Sequence, residues 1–223
     1  MSEREASTMK DLTHRHIVQI IGMFSTRRSM SILIFPVCQG DLGALLNECR
    51  SMKMTEAGKS QAKGTHIMLK HSTQCVAQAL KYLHEHLVRH DDIKPTNVLY
   101  RSTEDITTAH VYLADFDISQ VTEHDATTTS EYDFGFKLTP RYAPPEVMRA
   151  ERRGRSADLF SLESLYYEMI LEILCMEDYA IKKAYSQSLE TLHKSLLTTR
   201  ATPVPLEVYE YIAVTSVVYQ ISS

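Results

Sequence analysis

The sequence predicts an α+β chain built as two lobes of unequal size. Two observations carry this. The β-rich apolar runs are short and few, and the stretches with helical spacing are long and dominate the later part. A third observation sets the scale. The chain has 223 residues, 43% of them apolar and 23% charged, which suits one large domain or two small lobes around a sizeable core.

The elements follow in order. Residues 2–14 predict a helix. Ser2 caps it, Glu3 and Glu5 fall in its first turn where they suit the helix dipole, and Met9 and Leu12 share a face. The runs "IVQIIGMF" and "SILIFPV" are β-rich and separated by "STRRS", so they predict an antiparallel pair with a polar turn. "GDLGALLNEC" predicts a helix start. Residues 51–64 are polar with two glycines and predict a loop. A long helix is expected from Thr65 to His86, with Ile67, Leu69, Val76, Leu80 and Leu83 giving it an apolar face. "NVLY" and "HVYLADF" predict two short strands around a polar turn. Residues 119–138, rich in Thr, Ser, Asp and Glu, predict a long loop. Residues 156–176 predict an apolar helix, and the remainder predicts helices with a break at "TPVP".

Composition narrows function. A net charge of −4 argues against nucleic acid as a partner. No apolar run reaches the roughly 20 residues that span a bilayer, and the charged start "MSEREASTMK" is no secretory signal. Cys38, Cys49, Cys75 and Cys175 stand singly, without zinc-ligand spacing, so reduced thiols in the cytoplasm or nucleus are expected. "AGKS" at 57–60 imitates the end of a phosphate-binding loop, but Lys53 stands where that motif needs glycine.

The chemistry concentrates in "VRHDDIKPTNVLY", Val88 to Tyr100. Two adjacent aspartates precede Lys94 and Asn97 in a loop between the long helix and a strand. The loop resembles the catalytic loop of eukaryotic protein kinases, H-R-D-x-K-P-x-N, here His90 to Asn97. The resemblance extends from about Glu3 to Met176. "ADFD" at 114–117 resembles D-F-G. "TPRYAPPE" at 139–146 resembles T-P-x-Y-x-A-P-E. "SADLFSL" at 156–162 resembles the start of the large lobe's central helix, and "EASTMKDLTHRHIV" resembles the helix with the ion-pair glutamate. All five lie in the family order.

The resemblance implies a kinase-like two-lobed fold with an incomplete small lobe at 1–37, and a hinge and mainly helical large lobe at 38–223. It implies ATP and Mg²⁺ as cofactors and transfer of the γ-phosphoryl group to Ser or Thr of a protein substrate. Asp92 matches the residue that orients the acceptor hydroxyl and takes its proton. Lys94 matches the cation that offsets phosphoryl charge, and Thr139 the threonine bridging the two. Asn97 and Asp115 match the metal ligands. Phe35 matches the residue at the back of the adenine pocket. The backbone of Pro36 and Cys38 matches the purine-binding hinge, Asp41 reaches the ribose, and Leu99 packs under the base. His90, Phe116 and Met9 match a stacked apolar column, and Asp158 ties down the catalytic-loop backbone. Without the resemblance, Asp92 and Lys94 read as a solvated ion pair, and residues 33–42 as a strand and helix cap.

The pattern also breaks. Only four residues precede Glu5, so neither a glycine-rich loop nor the paired lysine is present. Asp91 replaces the Arg of H-R-D and would repel a phosphate on Thr127, Thr128, Thr129 or Ser130. Asp117 replaces the Gly of D-F-G, Pro144 replaces the Ala of A-P-E, and no Arg follows Arg200 to pair with Glu146. These departures raise two further readings: a fragment of an active kinase, and an inactive pseudokinase that binds partners as a scaffold.

Overall fold

A computed structural model of the chain describes residues 12–25, 30–52, 56–102, 105–115, 120–121, 139–149 and 154–173. The expected first helix, most of the 119–138 loop and the chain beyond Ile173 lie outside the described residues. So do Glu5, Met9, Phe116 and Asp117.

The two early apolar runs form the expected antiparallel pair, β1 (Gln19–Ser25) and β2 (Met30–Phe35). The register slips by a bulge between Ile20 and Gly22, leaving Ile21 58% exposed. A two-stranded ribbon alone is marginal in water. This one is held because Ile17, Val18 and Ile20 are buried in the main core and Ile32 packs against it. The chain before β1 is also pinned to the larger body. Val18 N–H donates to Leu113 at 3.0 Å and Leu113 N–H to His16 at 2.9 Å.

Next comes β3 (Gly40–Asp41), then helix α1 (Leu42–Met52). Asp41 stops the strand and starts the helix, its Oδ1 accepting the Ala44 N–H at 2.9 Å. That is an N-cap geometry, and its loss costs about 1 kcal/mol. Helix α2 runs from Glu56 to Glu85. The expected loop at 51–64 is therefore wrong at Ser51 and Met52, which end α1, and again from Glu56 onward. Ala, Glu, Lys and Gln favour helix there, and two glycines at roughly 1 kcal/mol each do not stop it. Gly64 has a packing reason, because a Cβ there would lie 3.1 Å from Ile106 Cγ2. The buried face is Thr65, Met68, Leu69, Ser72, Thr73, Val76, Ala79, Leu80 and Leu83, whereas Ile67 points outward at 45% exposure.

Strands β4 (Val88–Arg89), β5 (Val98–Arg101) and β6 (His110–Leu113) follow. β5 lies between β3 and β6, antiparallel to both, with Leu99 opposite Asp41 and Tyr112. β4 pairs with β7 (Gln120–Val121). A short helix, α3 (Pro145–Met148), precedes α4 (Arg155–Ile173). Thirteen of the nineteen α4 residues are buried, so the helix is wrapped on all sides and serves as the axis of the larger body. Leu162, Leu165, Tyr166 and Met169 join the α2 leucines in the main core, each leucine contributing about 1.5–3 kcal/mol. The Tyr166 hydroxyl donates to the Thr73 carbonyl of α2.

Candidate functional site

The loop between β4 and β5 is set by one buried carboxylate. Asp158, in the first turn of α4, is fully buried. Its Oδ2 accepts the His90 N–H at 2.9 Å and His84 Nε2–H at 2.8 Å, and its Oδ1 accepts the Asp91 N–H at 2.7 Å. Burial pushes the Asp158 pKa up. The hydrogen bonds from His84 and from the His90 N–H, with the favourable electrostatics of the two imidazoles, outweigh this, so the net direction is down and the group is ionised.

His90 is buried as well. Its Nε2 faces the Ala114 carbonyl at 2.9 Å and its Nδ1 faces the Asp92 N–H at 3.4 Å. Both contacts suit one neutral tautomer with the proton on Nε2. Burial lowers the His90 pKa, and the carboxylates of Asp158, Asp92 and Asp115 offset only part of that. Asp91, between these anchors, has φ 63°, in the left-handed region. Aspartate tolerates that region better than most residues.

The turn aims Asp92 toward a polar cluster. Thr139 Oγ1 donates to Asp92 Oδ1 at 2.9 Å. The Lys94 ammonium bonds Asp92 Oδ2 and reaches Thr139 Oγ1 at 3.0 Å. The Asn97 amide donates to the Asp92 carbonyl at 2.9 Å and to Oδ2 at 3.2 Å. Asp92, Lys94, Thr139 and Asn97 are thus brought into mutual contact across 47 residues of sequence. The side chains of Asp92 and Lys94 are only 10% and 19% exposed, so the solvated surface pair is not what folds. An opening beside them is lined by Asp92, Ile93, Thr139, Tyr142, Ala143 and Val147.

Asp115 follows β6. It is exposed, with φ 66°. The Ala114 N–H donates to the Asn97 carbonyl at 2.9 Å, so the backbones carrying Asn97 and Asp115 adjoin. The Asn97 amide nitrogen is committed to Asp92, which leaves its oxygen as the donor atom for a ligand. One amide oxygen and one carboxylate suit a hard cation whose other ligands are phosphate oxygens and water. Among the described residues there is no group of three His, Cys, Asp or Glu that could hold a metal alone.

The remaining candidates form a strip along β2, β3 and β5. Leu99 is half-buried against the core opposite Asp41. Asp41 is occupied in part by its capping bond. Pro36 is buried, and its carbonyl accepts the Cys38 thiol at 3.6 Å. Burial pushes the Cys38 thiol up, against a smaller opposing effect of Arg101. Phe35 ends β2 with 52% exposure, so its ring is not enclosed among the described residues.

Three features were missed from the sequence. His84 is a partner of Asp158. Arg89 and Asp91 pair at 3.5 Å with side chains 1% and 0% exposed. Arg50 of α1 binds Glu168 at 2.9 Å and Glu172 at 3.4 Å, while Glu168 also accepts the Tyr142 hydroxyl at 2.5 Å. The last cluster fastens the turn after Thr139 to α4. The alternation of Glu168 and Glu172 within an apolar helix was its only sequence signal.

Comparison with known proteins agrees with this geometry. The family model for the protein kinase domain matches residues 1–214. The chain is 30% identical over 166 residues to the calcium/calmodulin-dependent protein kinase cmkA of Emericella nidulans, covering 74% of this chain and 36% of that protein. It is 29% identical over 168 residues to a calcium/calmodulin-dependent protein kinase of Metarhizium anisopliae, covering 74% and 39%. With human MAP kinase-activated protein kinase 2 it shares 29% over 160 residues, covering 70% and 36%. The chain therefore spans less than two-fifths of the length of these relatives. The described helices are none of them long and apolar enough to cross a membrane. With a loop hung on Asp158, a carboxylate clasped by Lys94 and Thr139, and a family match over nearly its whole length, this chain belongs to the protein kinase domain family.

Proposed function

We propose that the chain transfers the γ-phosphoryl group of ATP to serine or threonine hydroxyls of a protein substrate. The observation that carries this is the clasp on Asp92. Its Oδ1 and Oδ2 are fixed by Thr139, Lys94 and Asn97 within 3.2 Å or less, in a loop whose backbone is held by Asp158. Phosphoryl transfer is chiefly positioning and charge stabilisation. In this reading Asp92 orients the acceptor hydroxyl and takes its proton. Lys94, bonded to both Asp92 and Thr139, sets a positive charge where the moving phosphoryl group gathers negative charge. Thr139 keeps the two in register from the acceptor side.

Asn97 and Asp115 are the proposed Mg²⁺ ligands, and the bound ion would neutralise phosphate charge. Leu99, Asp41, Phe35 and the backbone of Pro36 and Cys38 are the proposed nucleotide strip. Asp41 serves as both helix cap and ribose contact, since its cap uses one oxygen. The kinase relatives support the reading, and protein is the proposed substrate class. The cytoplasm or nucleus is the proposed setting.

The test is transfer of label from ATP to a panel of Ser/Thr peptides by the folded chain, with Asp92→Asn as control. The reading expects Mg²⁺-dependent label that the variant loses. Equal label from the variant would mean that Asp92 is not the base. ATP binding without transfer would mean that the site holds nucleotide and does no chemistry.

A further inference from the structure

We infer that Arg89 and Asp91 form a positioning pair that sets the aim of Asp92 from inside the fold. The inference rests on the phosphotransfer reading for its activity readout, though not for its geometry. The two residues flank His90. Their side chains are 1% and 0% exposed and meet at 3.5 Å. Arg89 is held by strand pairing, opposite Gln120. Asp91 sits at φ 63° with its N–H on Asp158. The backbone turns at Asp91, and the next residue is Asp92.

Two charges this deeply buried are a costly way to fill space. A buried ion pair is commonly neutral in stability or worse than apolar side chains of the same size, so its best-attested use is to fix one geometry among several. Here the geometry is the left-handed turn. The Asp91 carboxylate is drawn inward to the Arg89 guanidinium, and that sends Asp92 outward to Lys94 and Thr139. Without Arg89 the carboxylate at 91 would be driven toward water, and the turn would open. Asp92 would then move relative to Thr139, and misplacement by about 1 Å costs about a hundredfold in rate.

The test is a double-variant cycle on the full chain, read by amide hydrogen exchange and by turnover. Asp91→Asn alone and Arg89→Met alone should each deprotect peptides covering 88–98 and 139–142, with little change along α4. Turnover should fall about a hundredfold while KM for ATP stays unchanged. The neutral pair Arg89→Met with Asp91→Asn removes both charges of the pair together, so it should fold while its loop stays deprotected and slow. A neutral pair with wild-type protection and turnover would overturn the inference, and so would one that fails to fold, since the pair would then support the fold as a whole. If the wild type transfers no phosphate, the phosphotransfer reading fails, and exchange protection alone still decides the positioning role.

Discussion

Asp158→Asn is the substitution whose cost is best defined by this structure. The native carboxylate accepts three hydrogen bonds on two oxygens, at 2.8, 2.9 and 2.7 Å. Asparagine has one acceptor oxygen. Turned one way it faces the Asp91 N–H with its own amide hydrogens, and turned the other way it faces the His90 N–H. At least one buried donor is therefore stranded, at about 1–3 kcal/mol, and the remaining bonds lose their charge assistance at roughly 1 kcal/mol more. The expected loss is about 3 kcal/mol, a large part of the 5–15 kcal/mol typical of a domain. Urea unfolding should show the midpoint falling by about 1–3 M at unchanged slope. Native Asp158 also has a sign in pH. Its folded pKa is held below the ordinary carboxylate value of 3.8, so its stabilisation is present above that value and lost as pH falls through the lower folded value. Asp158→Asn should remove that part of the acid transition. A midpoint shift under about 0.3 M would refute the reasoning, because it would mean that the three bonds do not hold the loop.

Other outcomes follow from the same geometry. Lys94→Met should lower transfer about 10²–10³-fold, as loss of a transition-state charge contact does, while circular dichroism stays native. His90 has a folded pKa lowered by burial from 6.5. Stability should therefore decline as pH drops below 6.5, by at most about 1.4 kcal/mol per unit from this residue, and thermal melts from pH 7.5 to 5.5 read it. Gly43→Ala would bring a Cβ to 2.9 Å from Thr96 Cγ2 and 3.0 Å from Asp41 Oδ1. It should cost about 1 kcal/mol by disturbing the cap, measured by the same urea titration. Alkylation of Cys38 should be slow because burial raises its thiol pKa, and slower still with Mg·ATP if the hinge binds the base. Peptide mapping of the alkylated sites gives both rates.

The sequence was legible wherever local pattern and tertiary structure agree. β1 and β2 are apolar runs long enough to show a β-rich composition, and α4 is a long, mostly apolar run that reads as a buried helix. Asp92, Lys94, Asn97 and Thr139 could be named because their spacing follows a family pattern, and folding brings them together. The start of α2 was misread because Gly58 and Gly64 signal a break, yet Gly64 is needed where the helix meets Ile106. β4 and β7 have two residues each, too few for any period, and they exist only through pairing. Ile67 was assigned to the core of α2, but Met68 takes the inward position. The charge pairs were hidden for a different reason. Arg89 and Asp91 read locally as solvated residues, and Arg50 meets Glu168 across 118 positions, which no spacing rule reaches.

The most direct measurement is phosphoamino-acid analysis after a single turnover with labelled ATP, Mg²⁺ and a Ser/Thr peptide, comparing the wild type with folded Asp92→Asn. The account predicts phosphoserine or phosphothreonine from the wild type and at least a hundredfold less, on the scale of about 10²–10⁴ for a lost general base, from the variant. Wild-type protein that binds ATP and leaves the peptide unlabelled, or a variant that labels it equally well, would contradict the account.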